Sequence, residues 1–209
     1  MKNNVTLLKH PVINHKLGLL RNKNTKSHEF RSLLEEISLL MAYEITKDLA
    51  TKLEEIDTPL EKMKVESITN QIVLTPVLRA GEGMVNGFLK ILPFAQVGHI
   101  GIYRDKKMNC TIEYYFKLPP DVKGKDIILL DPLLATGDTL LSAVNRLKQY
   151  EVASIKIVSL LASEIGVEKV LSPHPDVKLF VLNIERTLDD KGYLLPGLGD
   201  AGGRLFGTD

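Results

Sequence analysis

The chain has 209 residues, 44% of them apolar, enough to bury one core and within the usual span of a single domain, taken as 1–209. Lysine and arginine number 27 against 26 acids, so no global field points to nucleic acid or an anionic membrane, and any phosphate binding has to be local. The single cysteine, Cys110, excludes an internal disulfide and has no companion motif that would make it a nucleophile; with no apolar run of the ~18 residues a membrane span needs, a soluble, cytoplasmic protein is the expectation.

In chain order, the first third is helical in pattern. From Phe30 the apolar positions Leu33, Leu34, Ile37 and Leu40 recur at three- and four-residue spacing, with Ser27 available as N-cap, which predicts one long amphipathic helix over about 28–54. After the charged stretch "LEKMKVES" the pattern changes to short apolar runs, each leading through a turn into a helical stretch. Strands are predicted near 71–78, 97–103, 126–131, 154–161 and 177–184, and helices near 83–91, 138–150 and 164–172. Strands alternating with helices predict an α/β fold with a mainly parallel, doubly covered sheet behind an N-terminal helical segment. Ligands of such sheets lie beyond the carboxyl ends of the strands, which directs attention to "RAGEG", "YRDKK" and "DPLLATGDT". The stretch "YRDKKMNCTIEYYFKLPPDVK" reads as an excursion carrying a short hairpin over that end.

The backbone amides of a tight turn that opens a helix are unpaired and point forward, so Ala135 to Thr139 can surround a phosphate with the helix dipole behind it. The hydroxyls of Thr136 and Thr139 add donors, Gly137 allows close approach, and Asp131 at the strand end faces whatever the phosphate carries. The plainer alternative makes Thr136 a helix cap and Asp131 the start of a turn. The segment lacks the lysine and the length of a nucleoside-triphosphatase loop. The five histidines have no metal-ligand spacing, and no Ser-His-Asp or Cys-His set is present, so neither zinc nor protein nucleophilic catalysis is expected.

The whole segment "DPLLATGDT", between a strand and a helix, resembles the phosphoribosyl diphosphate loop of the type I phosphoribosyltransferases. Pro132 in place of a second acid resembles the form found in uracil phosphoribosyltransferases. "HPVINHKLGLLR", "FRSLLEEISLLMAYE", "PVLRAGEGM", "YYFKLP" and "GYLLPGLGDAGGRLFGT" resemble further segments of that family, in the same order along nearly the whole chain. The resemblance implies transfer of a 5-phosphoribosyl group from phosphoribosyl diphosphate to uracil, giving UMP and diphosphate, with Mg²⁺ accompanying the donor. It implies that Asp131, Pro132, Leu133, Leu134, Ala135, Thr136, Gly137, Asp138 and Thr139 hold the ribose phosphate, with Asp131 on the ribose hydroxyls. Arg79 and Arg104 would hold the diphosphate and Asp200 would act near it, so that Arg104, Asp131 and Asp200 form the catalytic group. Leu194, Gly199, Asp200 and Ala201 would contact uracil within a base-binding segment of about 183–209, under a flap of about 104–117 to which Tyr114 and Tyr115 belong. A homodimer or higher homo-oligomer and a GTP effector are implied as well.

Four positions depart from the family pattern: Glu82 after "RAG", Asp138 where glycine is common, Gly203 after "DAG", and "IERTL" around Arg186. They leave open a regulator that binds nucleotide without turnover, and a transferase for another base. A carboxylate beside a phosphate is repulsive, and an acid in the first helical turn is favoured by the dipole, so Asp138 is expected to face outward into solvent.

Overall fold

The computed structural model describes residues 4–105 and 110–208. It begins with β1 (Val5–Leu7), α1 (Pro11–Arg21) and α2 (Ser27–Ile45), followed by a hairpin of β2 (Thr51–Asp57) and β3 (Lys62–Ile68). The alternating part runs β4 (Ile72–Leu78), α3 (Glu82–Ile91), β5 (Gln96–Val97), β6 (His99–Asp105), β7 (Cys110–Lys117), β8 (Asp126–Leu130), β9 (Leu133–Leu134), α4 (Asp138–Lys148), β10 (Ser154–Ser163), α5 (Glu164–Leu171) and β11 (Lys178–Glu185). The chain closes with β12 (Thr187–Leu188), β13 (Leu194–Leu195) and α6 (Ala201–Phe206).

The main sheet has the order β1-β11-β10-β8-β4-β6-β7 and is parallel except where β7 returns antiparallel on β6. The α/β expectation therefore holds. Strand β8 shows why: Ile128 and Leu130 join the core formed with α1, α2 and α3, while Ile127 and Leu129 join the core formed with α4 and α5. A strand buried on both faces reads as an unbroken apolar run, which is how "DIILL" stands in the sequence.

The predicted helix over 28–54 is shorter than expected. Helix α2 ends at Ile45, and the Thr46 hydroxyl turns back to donate to the Ala42 carbonyl at 2.8 Å. Residues 51–57 are instead β2, which pairs only with β3 in a separate two-stranded arm. Both strands are exposed on nearly every residue; β3 carries only a short alternation, Met63 and Val65 between charged residues, and β2 carries none. Ser27 is the first helical residue rather than the cap; Lys26 caps, and its backbone N–H donates to Glu29 Oε2 at 3.0 Å. Strand β1 escapes detection because three residues carry no period. His10 caps α1, its Nδ1 accepting from the Val12 N–H at 3.2 Å.

The two ends of the chain meet at a buried charge. Glu185 closes β11 with its side chain only 1% exposed, and it pairs with Arg21 at the end of α1. It also accepts from Asn183 Nδ2 at 3.0 Å and the Gly197 N–H at 3.4 Å, while Arg21 Nη1 donates to the Gly197 carbonyl at 2.8 Å. Burial alone would raise the Glu185 carboxyl; Arg21, Asn183 and Gly197 outweigh it and hold it below the usual carboxylate range. A depressed carboxylate contributes stability above its ordinary value of 4.5, and that contribution is lost as pH falls through the depressed one. Arg21→Met should cost about 3–5 kcal/mol at pH 7 by leaving the charge unpaired. Denaturant unfolding should show the deficit narrowing as pH falls and Glu185 protonates, first in the variant and then in the wild type; a loss under about 1 kcal/mol at pH 7 would mean that water reaches Glu185.

Candidate active site

The carboxyl ends of β4, β6 and β8 and the start of α4 converge on one edge of the sheet. Strand β8 stops at Leu130, and Asp131 follows it directly. The loop from Asp131 then runs through β9, which pairs with the far end of β10, and enters α4 at Asp138. Gly137 sits at the helix N-cap with φ 84°, a left-handed conformation suited to glycine, and no side chain caps the helix. The Thr136 hydroxyl donates to Asp138 Oδ2 at 2.9 Å, so the capping alternative for Thr136 gives way to another partner. A small cavity of about 80 Å³ is lined by Asp131, Leu133, Leu134, Ala135, Thr136, Gly137, Thr139 and Leu140. The first amides of α4 have no acceptor within the helix and carry the positive end of its dipole, so this cavity suits a tetrahedral anion.

Two close approaches fix the loop. A Cβ on Gly81 would stand 2.2 Å from the Leu130 carbonyl oxygen, so only glycine lets the "RAG" turn lie beside the end of β8. A Cβ on Gly166 would stand 2.3 Å from the Ala135 carbonyl oxygen, so α5 presses directly on the anion loop. The Ser163 hydroxyl ties the same contact, donating to the Ala135 carbonyl at 2.6 Å and accepting the Gly166 N–H at 2.8 Å. Sequence reasoning missed Ser163, Gly166 and Lys169, because they sit on the next β/α unit and belong to no contiguous motif.

Asp138 does not face solvent. Its side chain is only 19% exposed: Oδ1 pairs with Lys169 of α5, and Oδ2 lies 2.9 Å from Arg104 Nη1 of β6 and accepts from Thr136. Burial pushes its carboxyl up, but Lys169, Thr136 and Arg104 together hold it below the ordinary range, ionised and paired. The outward expectation fails because a separate helix delivers a cation to this position. Glu82 points away from the loop, its Oε2 3.1 Å from His99 Nε2.

Arg79 leaves β4 exposed, donates to Thr208 Oγ1 at 3.3 Å and covers the Phe206 ring at 5.5 Å. That contact brings the C-terminal segment to the strand ends. Leu194 and Ala201 are buried, whereas Gly199 and Asp200 are exposed. Asp200 caps α6, its Oδ1 accepting from the Gly202 and Gly203 N–H groups at 2.9 and 3.1 Å. Gly203 is therefore part of the cap. The segment is clamped by arginines on backbone carbonyls: Arg21 on Gly197, Arg31 on Leu205 at 2.8 Å, and Arg204 on Leu198 at 2.8 Å. The excursion expected at 103–123, with its flap at 104–117, contains the β6–β7 hairpin, in which β7 pairs along β6 at the edge of the main sheet; Tyr114 and Tyr115 are exposed, and residues 106–109 lie outside the described residues. A larger concavity of about 1010 Å³ lies at the opposite edge, around Asp48 and Lys178 at the start of β11, away from the anion loop.

Asp131 is half-buried in the cavity wall, and burial pushes its carboxyl up to about 7, offset only in part by the Leu133 N–H donating to it at 3.3 Å. For an acid raised in this way, the folded state disfavours the ionised form. Stability from this group is full below its ordinary value of 3.8 and declines until pH passes about 7. Asp131→Asn should therefore match the wild type near pH 4 and exceed it by roughly 2–4 kcal/mol at pH 8. Denaturant unfolding across that range measures it, and a pH-independent difference would show a solvated carboxyl.

Comparison with known proteins adds sequence kinship to this geometry. A family model described as uracil phosphoribosyltransferase matches residues 7–208. A Geobacillus uracil phosphoribosyltransferase is 50% identical over 205 residues, covering 98% of both chains. One from Clostridium novyi is 48% identical, again covering 98% of both chains. A solved Aquifex aeolicus protein superposes with a TM-score of 0.94 at 34% identity, over 98% of this chain and 99% of its own. A Bacillus anthracis hypoxanthine-guanine phosphoribosyltransferase, 13% identical with a TM-score of 0.51 over 76% of this chain and 80% of its own, shares the fold alone.

Proposed function

The chain belongs to the uracil phosphoribosyltransferase family, and we propose that its strand-end cleft divides that family's reaction among the residues described above. The reaction transfers the 5-phosphoribosyl group of phosphoribosyl diphosphate to N1 of uracil. The bond from ribose C1 to the diphosphate breaks, the bond from C1 to N1 forms, the N1 proton is lost, and UMP and diphosphate leave. The observation that carries the assignment is the amide-lined turn from Ala135 to Thr139 directly after the half-buried Asp131.

In this reading the turn amides and the hydroxyls of Thr136 and Thr139 hold the 5-phosphate, and Asp131 accepts hydrogen bonds from the ribose hydroxyls. Those donors favour the ionised carboxylate. The guanidinium groups of Arg79 and Arg104 engage the diphosphate, where a planar fork pairs two oxygens at once. Charge builds on the departing diphosphate, so preplaced cations there lower the barrier. Uracil lies against the 199–201 turn beside Leu194, where backbone groups read its carbonyl and N–H edge and disfavour cytosine, which inverts part of that pattern. The β6–β7 hairpin excludes water from the activated ribose.

Among the described residues no three acidic, histidine or cysteine side chains cluster into a metal cage. That suits Mg²⁺, which prefers one or two carboxylates with substrate phosphates and water. Asp131 and Asp200 are the oxygen donors available to it, although Asp200 Oδ1 already caps α6. Bound there, the ion would neutralise charge on the diphosphate. A cytoplasmic setting and a response to GTP complete the reading and rest on the resemblance.

A homo-oligomer is proposed as well, supported by the β2–β3 arm. An isolated two-stranded hairpin is marginal in water, and this one exposes Leu53 at 67% and Leu60 at 96%. Sedimentation should give a dimer or larger for the wild type and a smaller species for Leu53→Asp/Leu60→Asp; a monomeric wild type would refute it.

Incubation with Mg²⁺, phosphoribosyl diphosphate and a panel of bases tests the activity. Diphosphate release should require uracil, with cytosine and the purines at background. Release with another base alone would reassign the substrate, and the same assay with and without GTP tests the effector.

A further inference from the structure

Three residues of α4 recur at four-residue spacing, Asp138, Ser142 and Arg146, and therefore share one helix face. The β6–β7 hairpin rests on that face through a partner for each. Arg104 and Thr111 stand opposite one another in the hairpin register, and Glu113 lies two residues beyond Thr111 on the same side of β7. Thr111 Oγ1 is 2.8 Å from Ser142 Oγ, and Arg146 Nε is 3.2 Å from Glu113 Oε2, with its guanidinium over the Phe116 ring at 4.5 Å. The pair nearest the anion loop is Arg104 with Asp138, at 2.9 Å.

We infer that Asp138 is a positioning residue: its carboxylate, held from behind by Lys169 and Thr136, keeps the Arg104 guanidinium at the mouth of the anion loop, ready for the diphosphate. The inference rests on the role given to Arg104 above. A lone carboxylate at the start of α4 would repel a phosphate. Here one anion faces two cations, Lys169 and Arg104, so the group as a whole is positive toward the loop. An arginine already held in place gives up less side-chain freedom when its substrate arrives. The contacts of Ser142 and Arg146 fix β7 beside Arg104, so what Asp138 adds is the aim of the guanidinium.

Kinetics of Asp138→Asn in wild-type and Arg104→Ala backgrounds test this, with Asp138→Ser as a second variant should the first not fold. Asp138→Asn should raise KM for phosphoribosyl diphosphate about three- to tenfold with kcat within about twofold, the scale of one partly exposed charge pair. Arg104→Ala should raise it further, and in that background Asp138→Asn should change KM by less than about twofold, because its effect runs through the missing guanidinium. A fall in KM on Asp138→Asn would show that the carboxylate withholds Arg104 and overturns the inference. An equal effect in both backgrounds also overturns it, assigning Asp138 to the loop itself while the role of Arg104 stands. Unchanged kinetics in Arg104→Ala would remove the role of Arg104, and the inference with it.

Discussion

A carboxylate buried at the end of a strand has to be answered by a cation, and in this fold the answer comes from the first helix of the chain. Glu185 and Arg21 join β11 to α1, and the same arginine grips the Gly197 carbonyl. The C-terminal segment buries Leu194, Leu198, Ala201 and Leu205 in the core, and arginines from three different helices hold the backbone between them through its carbonyls. That leaves its glycine-rich turn exposed and yet placed. The placement of the C-terminal turn thus depends on a charge pair that lies outside it.

The anion side is built differently. Here the sheet does the placing, because a one-residue slip of β8 would move every side chain into the opposite, differently packed core. Asp131 inherits its position from β8, the "RAG" turn is drawn beside it by the contact at Gly81, and α5 supports the loop from behind through Ser163 and Gly166. A cradle of amides needs such backing, since its donors are useful only if they do not move when charge arrives.

What the sequence made legible follows from this division. Strand, loop and helix from Asp126 to Lys148 lie contiguous, and their apolar run, glycine and threonines announce them together. The supporting groups are scattered. Lys169 is an ordinary helix lysine until the fold sets it against Asp138, and Glu185 in "IERTL" looks like a surface acid until Arg21 reaches it from 164 positions away. The helix expected over 28–54 runs past the end of α2 into the first residues of β2, because that strand is set by its pairing with β3 and not by burial of one face. Asp138 was misjudged for a related reason: local rules placed its backbone correctly, but the direction of its side chain was decided by cations from β6 and α5.

The pairing of Asp138 with Lys169 links two segments that are otherwise free to diverge. A chain carrying glycine at 138 would leave the ammonium of Lys169 and the guanidinium of Arg104 without their shared carboxylate. Replacing either residue alone therefore changes the charge beside the loop by a full unit.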